Sequence, residues 1–136
     1  MLIDSFEQNY AEKLGVKHCV SCGNGTDALY IAMKALGVGP SDEVITTAHS
    51  WISTSETITQ AGGKVVFCDV NENDFLLDLS KIRELITPNT KGIIPVHLHG
   101  QAVDMDSLME IAKENNLWVI EDCAQAHFAN YKGKIV

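Results

Sequence analysis

Residues Lys91–His127 read KGIIPVHLHGQAVDMDSLMEIAKENNLWVIEDCAQAH. One apolar run, Gly92 to Leu98, opens the stretch and a second, Leu117 to Glu121, closes it. Between them Leu108, Ile111 and Ala112 recur at helical spacing. Ser107 with Glu110 predicts a capping box at the start of that helix. Two short apolar strands flanking one amphipathic helix make a strand–helix–strand unit, which places the two strands parallel in one sheet.

Working outward, the same unit recurs. Phe6, Tyr10 and Leu14 predict a helix that stops at Gly15. A run from His18 to Ser21 reads as a strand, Gly23, Asn24 and Gly25 as a turn, and Ala28 to Leu36 as a helix ended by Gly37, Gly39 and Pro40. Val44 to Thr47 leads into a helix over Trp51 to Ala61, and Lys64 to Val70 into one over Leu79 to Ile86, closed by Pro88. Tyr131 to Val136 reads as the start of a further strand, with Lys132 and Lys134 in a hairpin. Regular alternation of this kind predicts an α/β three-layer sandwich: a mostly parallel sheet covered by helices on both faces.

The chain has 136 residues, 46% of them hydrophobic, enough for one domain with a core and too few for two. Its net charge of −8, spread along the chain, argues against nucleic-acid or anionic-membrane binding, while a small anion can still be held by local backbone amides. No apolar run is long enough to span a bilayer, and MLIDSFEQNY lacks a signal-peptide pattern, so the expected location is cytoplasmic. Cys19, Cys22, Cys68 and Cys123 read as buried free thiols, since each sits in or beside an apolar run and the lone CxxC has no second pair to complete a zinc shell. His97 and His99, two apart on the expected strand, would share a face, with His127 further on, but no fourth ligand has the right spacing. No metal is expected, and a place beside a bound ligand is the expected use of these histidines.

Ligands in open parallel sheets bind outside the carboxyl ends of the strands, so the residues just after each strand carry the chemistry. In CGNGTDAL, Gly25 and Thr26 stand at a helix start, where free N–H groups and the helix dipole can hold a phosphate. An ordinary glycine turn capped by Asn24 or Thr26 reads the same residues without a ligand. Trp51, after the second strand, offers a flat face to a heteroaromatic ring, although a tryptophan in such a place, taken alone, is more often a core or hinge residue. Asp122 ends an apolar strand with Gln125 three residues on. A carboxylate there can keep a pyridine nitrogen protonated and the amide can reach a phenolic oxygen; the competing reading is an aspartate that caps a following helix. Together the three loops supply the phosphate seat, ring stack and pyridinium partner that one bound pyridoxal 5'-phosphate (PLP) requires.

Three stretches, FEQNYAEKLGVKHCVSCGNGTDAL, DEVITTAHSWISTSETITQAGGKVVFCDV and Lys91–His127, resemble the DegT/DnrJ/EryC1/StrS group of fold-type I aminotransferases. The resemblance covers nearly the whole chain. It implies that residues 1–136 are a truncated PLP-binding large domain of that fold, without the family's opening helix and loop or its small C-terminal domain. It implies transfer of an amino group, from glutamate as donor, to a nucleotide-linked keto-sugar by a homodimer. Gly25 and Thr26 would hold the cofactor phosphate, Trp51 would stack on the ring, Asp122 would meet the pyridine nitrogen as the catalytic carboxylate, and Gln125 the phenolic oxygen. The family's next segment carries the lysine that holds the cofactor covalently. None of this chain's lysines matches it, so the chain is expected to be inactive by itself. His99 stands where an aromatic residue is usual, and Phe128 where glycine is usual. The alternative is a non-catalytic binding or oligomerisation module that keeps the same sheet.

Overall fold

A computed structural model describes residues 1–136, all of the chain. Helices α1 (Leu2–Leu14) and α2 (Gly25–Ala35) precede strand β1 (Glu43–Thr47), α3 (Ser53–Ala61), β2 (Lys64–Cys68), α4 (Leu79–Leu85) and β3 (Thr90–Ile94). A short 3-10 turn (Leu98–Gly100), α5 (Met105–Glu114), β4 (Trp118–Val119) and a hairpin of β5 (Asn130–Tyr131) and β6 (Lys134–Ile135) complete it.

The main sheet runs in the order β2-β1-β3-β4 with every neighbour parallel. Its strands are apolar at consecutive positions because both faces are covered. Val44, Ile94 and Val65 pack with Leu29, Met33, Ile58 and Ala61 of α2 and α3. Their chain neighbours Ile45, Ile93 and Val66 point the other way, onto Ile82, Leu108 and Ile111 of α4 and α5. The three layers expected from the sequence are therefore present. Within them, β1 is followed by β2 on one side of it and by β3 on the other, and this reversal opens a crevice at the carboxyl ends of β1 and β3.

Five local expectations are corrected. Of the four cysteines expected to be buried only Cys68 is, and Cys22 is exposed, because the segment that carries it pairs with no strand. The run His18–Ser21 joins no ladder, and Val20 is 83% exposed. An apolar extended segment becomes a strand only by pairing; here the Ser21 N–H and hydroxyl both donate to the Glu7 carboxylate at 2.7 Å instead. The helix expected from Trp51 begins at Ser53, leaving Trp51 outside it. Helix α5 is capped by Asp104, not Ser107: the Ser107 hydroxyl donates to Asp104 Oδ2 at 2.6 Å, and a carboxylate is the stronger acceptor. β3 stops at Ile94, because Pro95 has no N–H to donate. His97 therefore lies past the strand and His99 in a left-handed turn (φ 56°), so the two do not share a strand face.

Candidate active site

The N-terminus of α2 faces the crevice. Asn24 is extended and its Oδ1 accepts the Asp27 N–H at 2.9 Å, which starts the helix at Gly25. The first N–H groups of a helix have no intrahelical acceptor, and a Cβ placed on Gly25 would meet nothing within 4 Å. An anion can therefore approach this end closely. Thr26 Oγ1 lies 2.7 Å from Ser53 Oγ, tying the α2 start to that of α3.

Asp122 lines the same crevice. Beyond the regular ladder, Val96 and Asp122 form one more parallel bridge: Asp122 N–H donates to Pro95 O at 2.9 Å and His97 N–H to Asp122 O at 3.0 Å. The Asp122 side chain is 9% exposed. Its Oδ2 accepts from the Thr54 hydroxyl at 2.8 Å and its Oδ1 from the Ala124 N–H at 3.2 Å. Ser50 Oγ lies 2.7 Å from Thr54 Oγ1 and extends this chain of hydroxyls. No helix starts at Asp122, which is followed by turns at 124–125 and 127–128, so it is not a helix cap.

Gly25, Thr26, Trp51, Thr54, Asp122 and Ala124 all line one cleft of about 250 Å³. This is slightly below the roughly 300–1,000 Å³ of drug-sized sites, as befits a small ligand. Trp51 is 73% exposed, with its ring free of the core, which removes the reading of it as a core tryptophan. The set suits a flat aromatic phosphate: N–H donors for the anion, an open indole for the ring and a fixed carboxylate for a ring N–H. Gln125 lies outside the lining of this cleft; its Oε1 accepts the His99 N–H at 3.2 Å, leaving the amide NH₂ as its free donor.

A second cleft, about 430 Å³ and mostly apolar, separates residues 19–22 from Glu121–Ala124 and shares Gly25, Leu29, Asp122 and Ala124 with the first. Cys123 lines it, but burial, with Glu121 and Asp122 nearby, pushes its thiol up to about 12, so it is no thiolate nucleophile. His127 also lines it, its Nδ1 3.0 Å from the Tyr10 hydroxyl. His97 does not touch either cleft; its imidazole is fully buried behind the strand end. Neither lining includes a lysine. Lys132 sits in the hairpin turn, as its sequence context predicts, and hydrogen bonds from its ammonium to Asp106 and Tyr131 raise its pKa above the usual lysine value.

Sequence reasoning missed Ser53 and Thr54. The available signal was chemical: Ser53, Thr54 and Thr57 are three hydroxyls on the buried face of α3, where apolar residues are the rule.

The model of the DegT/DnrJ/EryC1/StrS aminotransferase family matches residues 2–136. The chain belongs to that family. GDP-perosamine synthase of Caulobacter vibrioides is 47% identical over 132 residues, which are 97% of this chain and 36% of that protein. Among solved structures, DesV of S. venezuelae has a TM-score of 0.97 at 37% identity, over 98% of this chain and 36% of that one. NtdA of Bacillus subtilis, with bound cofactor PMP, has a TM-score of 0.91 at 39% identity, over 93% of this chain and 29% of that one. The chain thus spans about a third of the relatives it matches, at 36% of the first, and its sheet is the fold-type I sheet of these aminotransferases.

Proposed function

We propose that residues 1–136 are the cofactor cradle, within the large domain, of a PLP-dependent aminotransferase. The whole protein moves an amino group from an amino-acid donor, glutamate, to a nucleotide-linked keto-sugar, and works as a homodimer. The observation that carries this reading is the single cleft in which a helix N-terminus, an open indole and a doubly hydrogen-bonded aspartate meet at the sheet's reversal point.

Bound PLP supplies an electron sink. In this reading, the N–H groups of Gly25 and Thr26 hold its phosphate and Trp51 covers one face of its ring. Asp122 accepts the ring N–H and keeps that proton in place, with Thr54 and Ala124 fixing the direction of its carboxylate. Gln125, outside the cleft lining but next in sequence to Ala124 within it, would have to turn its free amide NH₂ inward to donate to the phenolic oxygen. The exposed apolar residues Leu2, Ile3 and Phe6 of α1 support a second subunit against this face. Because no lysine lines either cleft and Lys132 is held as an ammonium by Asp106, the 136 residues alone are inactive.

The test is to supply the whole protein with glutamate and a panel of nucleotide-linked keto-sugars and to look for amino-sugar products by mass spectrometry. Amination of a nucleotide sugar is the expected result. A protein that binds pyridoxamine phosphate but aminates none of them would remove the substrate assignment, and one that does not bind it would remove the cofactor. Borohydride treatment of the 136-residue chain with PLP should leave no stoichiometric pyridoxyl adduct; an adduct on Lys132 would overturn the exclusion of this chain's lysines.

A further inference from the structure

His97 is a fully buried ring whose contacts are all specified. Its Nδ1 accepts the Val103 N–H at 3.2 Å, which assigns the ring proton to Nε2, and Nε2 then donates to Glu121 Oε2 at 2.9 Å. Glu121 is the chain neighbour of Asp122, and side chains of adjacent strand residues point to opposite faces. One carboxylate is tied to His97 on the side of α5, and the other to Thr54 on the side of α3.

The place of this clamp matters. The regular pairing of β3 with β4 ends at Ile93 and Val119, and Pro95 interrupts the ladder beyond them. The segment that carries Asp122 is held past that break by the single Val96–Asp122 bridge, whose second backbone bond comes from the His97 N–H. His97 therefore grips the strand end twice, by its own N–H on the Asp122 carbonyl and by its ring on the Glu121 carboxylate. The Val103 N–H in turn fixes the ring. Glu121 is 40% exposed, so without the ring contact its side chain would be free to turn toward solvent and the strand end would be held by its two backbone bonds alone.

We infer that His97 is a positioning residue: through Glu121 it holds the Asp122 carboxylate in line with the ring nitrogen of the bound cofactor. This rests on the proposed pairing of Asp122 with that nitrogen. His97 touches neither cofactor nor substrate. Its effect is on the angle and distance at which Asp122 meets the ring, the role that partners of first-contact ligands commonly play.

The test uses the whole protein and its pyridoxamine phosphate complex. Gln at position 97 can place an N–H near the Nε2 position and keep the Glu121 contact; Asn is too short and can keep only the contact with the Val103 N–H. We expect His97→Asn to weaken pyridoxamine phosphate binding and kcat by about 10–100-fold with the sugar KM unchanged. It should also move the ring-nitrogen NMR shift of labelled pyridoxamine phosphate toward the unprotonated value. His97→Gln should restore all three. Glu121→Ala, a change at a half-exposed side chain, should reproduce the Asn result and carries the test if His97→Asn does not fold. Equal losses of thermal stability in the Asn and Gln variants with an unchanged ring-nitrogen shift would show a packing role and overturn the proposal. If Asp122→Asn itself leaves the ring-nitrogen shift unchanged, the assignment of Asp122 falls, and the role of His97 with it.

Discussion

The Thr54 hydroxyl, in the first turn of α3, donates to Asp122 Oδ2 at 2.8 Å in the cleft that the α2 N-terminus also lines. Both groups are buried. Thr54→Val keeps the shape and deletes the donor, so a buried carboxylate oxygen loses its partner. The expected loss is about 1–3 kcal/mol of unfolding free energy by denaturant titration, with Thr54→Ser near the parent value. Equal stability of the Val and parent proteins would show that water replaces the hydroxyl.

Gly92 lies beneath the indole of Trp118, its partner in the β3–β4 ladder. A Cβ built there comes within 2.1 Å of Trp118 Cε3. Gly92→Ala should therefore overpack the site and cost about 1–3 kcal/mol. Trp118→Leu in the same chain should recover part of that loss in a double-mutant cycle, because the three atoms nearest to the added Cβ all belong to this ring.

Phe128 adopts a φ of 62°, where side chains are strained and glycine is at ease. Its ring packs at 5.8 Å from that of Tyr10, so removing it has a cost of its own. The clean comparison is between two variants that both lack the ring. Phe128→Gly should be more stable than Phe128→Ala by about 1 kcal/mol in chemical denaturation, the reverse of the usual order. Ala equal to or better than Gly would show that this turn relaxes to negative φ.

Hydrogen bonds from Ser107 and Tyr131 bring the Asp104 carboxyl down to about 2 from an ordinary value of 3.8. Its folded pKa lies below its unfolded one. The stabilisation is thus complete above the unfolded value and is lost as pH falls through the folded one. The Asp104 cap on α5 should weaken between about pH 4 and about pH 2. Asp104→Asn, which can still cap, should flatten that acid limb of the stability curve. An unchanged limb would place the acid sensitivity in other carboxylates.

The layered sheet was legible because a strand buried on both faces must be apolar at consecutive positions, as in Val44–Ile45 and Ile93–Ile94. Gly25, Thr26, Trp51 and Asp122 do line one cleft, but only Trp51 and Asp122 follow strands of the sheet, whose carboxyl ends converge. His18–Ser21 misled because an apolar run shows a preference for extended backbone but not whether a neighbour is there to pair with. Thr54 and Ser53 were hidden because a hydroxyl in the first turn of a helix usually serves the helix itself. The isolation of His97 from the cleft depends on where β3 stops, a boundary that Pro95 marks in the sequence but that the apolar run through Leu98 obscured.

Asp122→Asn is the most direct test of the site. In the folded protein an asparagine at 122 can present its carbonyl oxygen to the Ala124 N–H and its NH₂ to Thr54. The Thr54 hydroxyl then accepts from the amide and donates to Ser50 Oγ, 2.7 Å away. Every buried group keeps a partner, so thermal stability should change little. The backbone bridge to Val96 is untouched. What is lost is the negative charge that favours a protonated ring nitrogen, and an unprotonated ring is a poor electron sink. In the whole protein, turnover should therefore fall by several orders of magnitude while pyridoxamine phosphate still binds. The paired measurement is transamination rate and melting temperature in Asp122→Asn. Near-normal turnover with a large drop in melting temperature would make Asp122 a structural anchor of the strand end and leave the cleft without its catalytic carboxylate.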